Sequence, residues 1–293
     1  MAKPVFDLDG DGKADVSVFR GSDQYWYIKK SSGGYEYVRW GLETDNLVPG
    51  DYDGDGRTDI AIHRKLIAFP ETGTWWIFNS LDFSHYAARW ASNNIGEFDT
   101  PVPADYDGDG KTDLAYYRRT DAVGDPGTFF ILPSSTNIGI STTWGLPSLG
   151  DRPVPADYDG DGKADVAVYR EGVWFILLST NGSLRVEYFG LPSDKVIPGD
   201  FDGDGIADIA VWRESNGMWY WRSSENGLIN YVPFGMAGDL PTADDFDGDG
   251  KTDIAVFRPS NGIWYVLLSE SNTVEYHYFG LGSDIPIQNV YVR

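Results

Sequence analysis

The sequence predicts an all-β fold, a six-bladed β-propeller made of four-stranded antiparallel blades. A string close to DFDGDGKTDIAVFR, found at residues 245–258, occurs six times, and its starts lie 43 to 54 residues apart. Repeats of this length are typical of propellers and solenoids. Each copy is followed by short β-branched and aromatic runs between turns, without a helical period, which favours the propeller. The six copies start at Asp7, Asp51, Asp105, Asp157, Asp200 and Asp245.

Each unit contains three strand-like runs after the acidic string. The first is apolar at nearly every position and ends in arginine, as in IAVFR at 254–258, which indicates a strand buried on both faces. The second carries an aromatic residue at one equivalent place, and the third ends in an aromatic residue followed by Gly or Ala, as at Phe279-Gly280. Turns such as Asn216-Gly217 favour hairpins between the strands. A proline-bearing segment such as Val102-Pro103 leads into the next loop as the fourth strand.

Two sets of repeated residues are expected to be structural. The aromatic residues of the second strand should pack between blades, and the arginines should pair with carboxylates or carbonyls of a neighbouring blade. The aromatic set is Trp26, Trp75, Phe129, Trp174, Trp219 and Trp264, and the arginines are Arg20, Arg64, Arg118, Arg170, Arg213 and Arg258.

We predict one domain over residues 1–293. Its units lie near residues 3–47, 48–101, 102–153, 154–196, 197–240 and 241–284. Residues 285–293 are similar to the lead-in strand of a further unit. This strand either closes the ring beside the first blade or is exchanged with a neighbouring subunit, giving a head-to-tail assembly.

The acidic strings have the composition of calcium-binding loops. Carboxylates occupy positions 1, 3, 5 and 9, and glycines at positions 4 and 6 allow a tight turn. Such carboxylates repel one another unless a hard cation sits between them, and Ca²⁺ prefers oxygen ligands of this kind. An EF-hand is excluded because position 12 is apolar, for example Val256, where that motif needs a bidentate Glu.

We therefore predict about six Ca²⁺ ions, one per repeat. Position 7 would offer its backbone carbonyl, which leaves its side chain free to vary. The candidate ligands are Asp7, Asp9, Asp11, Lys13 and Asp15; Asp51, Asp53, Asp55, Arg57 and Asp59; Asp105, Asp107, Asp109, Lys111 and Asp113; Asp157, Asp159, Asp161, Lys163 and Asp165; Asp200, Asp202, Asp204, Ile206 and Asp208; and Asp245, Asp247, Asp249, Lys251 and Asp253.

Composition narrows the classes of partner. The net charge of −22 argues against nucleic acid, and six Ca²⁺ ions would offset about half of it. No apolar run is long enough for a membrane-spanning helix, so we expect no membrane insertion. Cysteine is absent, which excludes disulfides. No apolar signal segment precedes the first loop in this chain.

The loop, together with the Phe-Gly or Trp-Gly pair and the following proline, resembles the FG-GAP (VCBS-type) repeat. In that family the loop joins the first two strands of a blade and binds Ca²⁺. The resemblance covers all six units and implies a propeller similar to those of integrin α subunits and bacterial extracellular proteins. Integrin propellers have seven blades, whereas this sequence has six loops. The resemblance implies an extracellular or cell-surface, lectin-like or adhesive role.

We expect no enzymatic activity. A catalytic site needs a nucleophile, a base and an orienting group. The chain has no Cys and three histidines, of which His63 stands where other units have an aromatic residue and should be packed, while His85 and His277 should lie at the surface. A polysaccharide lyase that pairs calcium with a basic residue stays an alternative.

The main functional hypothesis is a calcium-stabilised scaffold that binds a glycan or a protein. The alternatives are a structural subunit that self-associates through its C-terminal strand, and the lyase. Aromatic residues outside the repeat pattern are candidate ligand contacts, namely Tyr25, Tyr35, Trp76, Phe83, Tyr86 and Trp221.

Overall fold

Six four-stranded antiparallel sheets make up the structure, a computed structural model that describes residues 6–65, 73–90, 99–119 and 122–289. Residues 1–5, 66–72, 91–98, 120–121 and 290–293 lie outside the described residues. The prediction of an all-β, six-bladed propeller is confirmed.

The blades follow one another along the chain. The strands are β1 Val16–Arg20, β2 Tyr25–Lys29, β3 Tyr35–Arg39; β4 Asn46–Leu47, β5 Ile60–Lys65, β6 Gly73–Phe78, β7 His85–Arg89; β8 Asp99–Pro101, β9 Leu114–Arg118, β10 Thr128–Leu132, β11 Ile140–Thr143; β12 Arg152–Pro153, β13 Val166–Arg170, β14 Val173–Leu177, β15 Leu184–Tyr188; β16 Lys195–Val196, β17 Ile209–Arg213, β18 Met218–Arg222, β19 Ile229–Pro233; β20 Leu240–Pro241, β21 Ile254–Arg258, β22 Ile263–Leu267, β23 Val274–Tyr278; and β24 Ile285–Pro286. Two single-turn 3₁₀ helices span Pro147–Leu149 and Ile287–Asn289.

Burial changes in order across each blade. In the fourth blade, the short strand β12 pairs with β13, whose first four residues are all buried. The next strand, β14, alternates between buried and half-buried residues, and the edge strand β15 alternates between exposed and half-buried residues. Neighbouring blades cover both faces of β13, which explains its continuous apolar run.

The repeated tryptophans form the core between blades, as the sequence predicts. Trp26, Trp174 and Trp264 are fully buried. The indole Nε1 of Trp174 donates a hydrogen bond to the carbonyl of Phe189 at 2.9 Å, and that of Trp264 donates to Phe279 at the same distance. A buried indole needs such a partner, so the aromatic residue before each Gly serves as a backbone acceptor. These tryptophans are not sugar-stacking surfaces.

The last strand closes the ring within the same chain. Strand β24 pairs with β1, with Pro286 opposite Val18 and Ile285 opposite Phe19. Ile287 follows and is fully buried in the cluster that contains Phe6 and Trp26. Within this single chain, the segment therefore closes the ring, the first of the two alternatives.

Candidate metal centre

The six acidic loops occupy the same place in every blade. We number them loop 1 (7–15), loop 2 (51–59), loop 3 (105–113), loop 4 (157–165), loop 5 (200–208) and loop 6 (245–253). Loops 2 to 6 each lie between the short first strand of a blade and its long second strand, and loop 1 precedes β1, whose short partner is β24. In loop 2 a backbone bridge between Gly50 and Asp59 holds the two ends together.

The carboxylates at positions 1, 3 and 9 converge in loops 1 to 5. In each group, one carboxylate oxygen from each residue lies within 4.8 Å of the others. This spacing and donor set suit a hard cation with oxygen ligands. The groups are Asp7, Asp9 and Asp15; Asp51, Asp53 and Asp59; Asp105, Asp107 and Asp113; Asp157, Asp159 and Asp165; and Asp200, Asp202 and Asp208.

The position 5 carboxylates stand outside these groups and also accept hydrogen bonds that hold the loop in shape. Asp109 Oδ1 accepts the backbone N–H of Lys111 at 2.9 Å, and its Oδ2 accepts the hydroxyl of Ser134 at 2.7 Å. The hydrogen bond from the position 7 N–H to the position 5 carboxylate recurs in every loop. Its acceptors are Asp11, Asp55, Asp109, Asp161, Asp204 and Asp249.

Backbone hydrogen bonds fix the carboxylate at position 1. Asp105 accepts the N–H of Gly108 at 2.6 Å on one oxygen and that of Gly110 at 2.8 Å on the other. The two glycines have φ of +79° and +86°. L-residues with side chains rarely adopt these angles, so the DGDG pattern is required to turn both amides toward the carboxylate.

The carboxylate at position 9 is buried and held from two sides. Asp113 is fully buried, and its oxygens accept the N–H of Tyr106 at 2.9 Å and that of Ser134 at 2.7 Å. Ser134 belongs to the turn after the third strand of the blade. The position 9 residue therefore connects the metal loop to the outer half of its blade.

Burial makes these position 9 carboxyls weak acids. It raises the pKa of Asp15 and Asp59 to about 7, against the lowering effect of their backbone hydrogen bonds. Burial also raises the pKa of Asp113, Asp208 and Asp253 to about 6, and nearby loop carboxylates add to the increase. A bound cation would replace the proton that these groups otherwise hold near neutral pH.

Two loops contain a buried carboxylate oxygen without a partner. Oδ1 of Asp9 and Oδ1 of Asp159, both at position 3, are shielded from solvent and accept no hydrogen bond from the described residues. Leaving a buried charged oxygen unpaired is costly. A cation between positions 1, 3 and 9 would satisfy it, so the residues present fit a metal ion.

Backbone hydrogen bonds join the six loops into a ring. The N–H at position 8 of each loop donates to the carbonyl at position 1 of the preceding loop, for example from Thr112 to Asp51 at 2.7 Å. The circle is completed by Ala14, which donates to Asp245 at 2.6 Å. The other four links run from Thr58 to Asp7, Ala164 to Asp105, Ala207 to Asp157 and Thr252 to Asp200.

The side chain at position 7 covers the preceding loop. Lys111 crosses Gly54 of loop 2, and its Nζ donates to the carbonyl of Asp53 at 2.7 Å. The expectation that these side chains are free to vary is therefore incomplete, because each packs on a neighbouring site. The covering residues are Lys13 on loop 6, Arg57 on loop 1, Lys111 on loop 2, Lys163 on loop 3, Ile206 on loop 4 and Lys251 on loop 5.

The repeated arginines form bidentate ion pairs with carboxylates, as predicted. Each partner lies in or just before the first strand of the arginine's own blade, however, and not in a neighbouring blade, as Asp99 of β8 does opposite Arg118 of β9. Arg213 Nε and Nη2 donate to the two oxygens of Asp194 at 2.9 and 2.8 Å. Sequence reasoning missed the partner aspartates, although each stands 19 residues before its arginine except in the closing pair. The pairs are Arg64–Asp45, Arg118–Asp99, Arg170–Asp151, Arg213–Asp194, Arg258–Asp239 and Arg20–Asp284.

The histidines take part in structural contacts. His63 is buried, and its ring lies 5.1 Å from that of Trp75, as predicted for a packed residue. His277 Nδ1 lies 2.8 Å from Lys29 Nζ across the seam between the last and first blades. His85 is exposed, and its ring lies 5.7 Å from that of Trp40.

The aromatic candidates separate into packed and exposed residues. Trp221 stacks on Phe201 at 5.4 Å and packs against the core, and Trp76 has an aromatic counterpart in every other blade, so neither is outside the packing pattern. Tyr25 is half-buried beside Tyr27. Four are exposed: Trp76 on β6, and Tyr35, Phe83 and Tyr86 on outer strands or turns.

The lead-in segments surround a cavity of about 410 Å³. All six blades contribute to its wall, which places it at the centre of the ring. The residues that follow each short strand line it, namely Pro49, Pro103, Pro155, Pro198, Ala243 and Gln288. This largely apolar space lies within the usual size range of small-molecule sites.

Comparisons with known proteins agree with this architecture. Residues 7–62 and 200–256 match the FG-GAP-like repeat. No curated protein matches the chain. Within the described residues, no helix is long and apolar enough to cross a membrane.

Several solved structures share the fold. BBS1N, in a complex with ARL6DN, is 14% identical with a TM-score of 0.52, and the match covers 95% of this chain and 82% of that chain. A streptogramin B lyase is 12% identical with the same TM-score, covering 94% and 81%. AofleA from Arthrobotrys oligospora is 12% identical, also at 0.52, covering 97% and 89%. At these identities the likeness shows the fold alone. The chain is thus a six-bladed β-propeller, and residues 7–62 and 200–256 of it match the FG-GAP-like repeat.

Proposed function

We propose that this protein is an extracellular binding scaffold whose propeller is stabilised by Ca²⁺, one ion in each of its six loops. The observation that carries the proposal is the convergence of three carboxylates in each of loops 1 to 5, with position 9 fully buried. Positions 1, 3 and 9 would bind the ion directly. Position 5 and the position 7 carbonyl would complete the oxygen set.

Calcium, rather than a transition metal, suits these loops because every side-chain donor in them is a carboxylate oxygen. Extracellular modules commonly bind Ca²⁺ with dissociation constants of about 10⁻⁴–10⁻³ M, so such sites fill outside cells. The proposed extracellular location therefore follows from the proposed calcium binding. Each site would add roughly 1.4 kcal/mol of stability at a calcium concentration ten times its dissociation constant.

A protein or glycan is the proposed partner. In support of a protein partner, one propeller of similar fold, BBS1N, was crystallised in a complex with ARL6DN. In support of a glycan, Tyr35 and Phe83 are more than half exposed and present aromatic faces to solvent. A binding role is preferred to catalysis because His63 and His277 are engaged in contacts within and between blades.

Calcium content and thermal stability of the purified chain test the scaffold. We expect about six Ca²⁺ per chain after dialysis against calcium, and a large drop in the melting temperature in excess EDTA. Asp59→Asn should lose one ion, whereas Asp125→Asn, which removes an exposed aspartate outside the loops, should lose none. Absence of bound calcium together with an unchanged melting curve would refute the proposal.

Glycan arrays and affinity capture, each with and without Ca²⁺, then test the binding role. We expect retention of one class of ligand that Phe83→Ala or Tyr35→Ala weakens without changing the calcium content. If ligands bind equally to both variants, another surface carries the contact.

A further inference from the structure

The six loops differ in the charge of the side chain that covers them. In five loops the covering residue is Lys or Arg, and in loop 4 it is Ile206. A Cβ placed on Gly160 would lie 2.9 Å from both Cδ1 and Cγ1 of Ile206. The equivalent atom on Gly54 would lie 2.9 Å from Cε of Lys111, next to its ammonium group.

A cation in this place acts on the metal loop that it covers. Lys111 Nζ donates to the carbonyl of Asp53, a position 3 residue, at 2.7 Å. The ammonium therefore contacts a residue whose carboxylate would bind the ion, and its positive charge would repel the ion. Asp53 Oδ1 also accepts the N–H of Asp55 at 3.1 Å, so part of its capacity as an acceptor is already used.

Loop 4 lacks both of these competing interactions. Ile206 brings no charge to it, and Oδ1 of Asp159 is a buried oxygen with no partner among the described residues. Its position 1 carboxylate is held like the others, with N–H donors at 2.6 and 2.8 Å from Gly160 and Gly162. The carboxylate frame is thus the same as in the other loops.

A free position 3 oxygen is also found at Asp9 of loop 1, whereas the uncharged cover is found at loop 4 alone. The guanidinium of Arg185 donates to the carbonyl of Tyr158 in loop 4 at 3.1 Å, but its charge is offset by an ion pair with Glu187 at 3.0 Å.

We propose that loop 4, residues 157–165, is the tightest metal site of the ring and fills first, because Ile206 replaces the basic residue that covers each of the other five loops. This inference rests on the proposed calcium function and adds an order of filling to it. Removal of one positive charge from the neighbourhood of a divalent ion at a partly exposed site should strengthen binding of the ion roughly three- to tenfold at low salt. Salt should reduce the difference.

Calorimetric titration of the calcium-free full chain with CaCl₂ at low salt tests the order. We expect one tight site followed by a group of weaker ones. Ile206→Lys should weaken the tight site roughly three- to tenfold and merge it with the group, and Lys111→Met should create a second tight site at loop 2. Ile206→Met, which keeps an uncharged side chain of similar size, is the matched control and should keep the tight site.

The outcomes separate this inference from the function on which it rests. Six sites of equal affinity in the natural chain, or an unchanged tight site in Ile206→Lys, would overturn the order of filling and leave the calcium function standing. Loss of the tight site in Ile206→Met would overturn the role of charge. A chain that binds no calcium at all would overturn both. Melting curves of each calcium-free variant show whether its fold is intact.

Discussion

Arg20 and Asp284 are 264 positions apart in the chain, yet they form a bidentate ion pair, with Nε–Oδ1 at 2.9 Å and Nη2–Oδ2 at 2.8 Å. The pair is equivalent to the five that connect each arginine to the aspartate 19 residues before it. Here it connects the first blade to the segment that closes the ring. The carboxylate of Asp284 is completely shielded, and Arg20 is 19% exposed.

Arg20→Met should therefore destabilise the fold by about 3 kcal/mol, because it leaves a buried carboxylate without its partner. Urea unfolding at neutral pH measures this loss. The double variant Arg20→Met with Asp284→Leu should recover much of it, since no unpaired charge remains. A cost below about 0.5 kcal/mol for the single variant would show that closure does not depend on the pair.

The stability of the calcium-free protein should fall as the pH rises. Burial raises the pKa of Asp15 and Asp59 to about 7 and that of Asp113, Asp208 and Asp253 to about 6, from an ordinary value of 3.8. The folded state then binds more protons than the unfolded state between about pH 4 and pH 7. The stabilising contribution is complete below pH 4 and is lost as the pH rises through 6 to 7.

Unfolding curves in EDTA between pH 4 and pH 8 measure this slope. Asp59→Asn should make the dependence of stability on pH less steep, by the contribution of one proton. Saturating Ca²⁺ should remove the dependence, because the ion replaces the protons. A slope that is the same with and without Ca²⁺ would contradict the assignment of these carboxyls as ligands.

His63 should make the opposite contribution. Burial lowers its pKa to about 4, from an ordinary value of 6.5. The unfolded state then binds the extra proton, and this contribution to stability is lost as the pH falls from about 6.5 to 4. Between pH 7.5 and pH 5 the loss is about 2 kcal/mol.

His63→Phe removes this dependence and introduces the residue found at the equivalent place in the first and last blades, Phe19 and Phe257. Chemical unfolding at pH 7.5 and pH 5 should show that the stability of the variant, relative to that of the unmodified protein, is higher at pH 5 than at pH 7.5. An equal difference between the two proteins at both pH values would mean that His63 is not held neutral.

Phe83 occupies a turn position that other blades give to Gly or Asn. Its φ is +59°, its N–H donates to the carbonyl of Asn79, and its side chain is 59% exposed. The same turn bond is made by Gly182, Gly227 and Asn272. A bulky residue with positive φ is strained.

Phe83→Gly should raise stability by about 0.5–1 kcal/mol as the strain is released. Thermal or urea unfolding tests this, with Gly227→Phe as the reverse change that should destabilise. If Phe83→Gly is destabilising, the contact between Phe83 and Phe78 at 6.0 Å outweighs the strain. A strained, exposed aromatic residue is typical of a ligand contact, so the same variant belongs in the binding assays.

The sequence predicts the blades and the loops well because each is encoded locally. The apolar run before Arg170, the buried Trp174 and the DGDG turn all follow from short-range patterns. The ion pairs were missed because each aspartate lies in a connecting segment whose composition is ordinary, and its partner is identified only by strand pairing.

The covering role of position 7 was missed for a related reason. Ile206 covers loop 4 because of the rotation between neighbouring blades. The sequence of a single repeat does not determine this rotation. Sequence reasoning places Trp76 outside the repeat pattern because its register in the second unit cannot be read from the sequence, and the pairing of Trp76 with Ile62 fixes that register.

The circle of hydrogen bonds through the loops means that no blade is a terminus. Linear repeat arrays need specialised end units to shield their outer faces. Here the amide of Ala14 donates a hydrogen bond to the carbonyl of Asp245, which joins the first loop to the last. A fragment of five blades would expose two apolar flanks and leave an amide and a carbonyl unmatched at its break. A blade can consequently be added or removed only if the first and last blades form a new set of contacts that closes the ring.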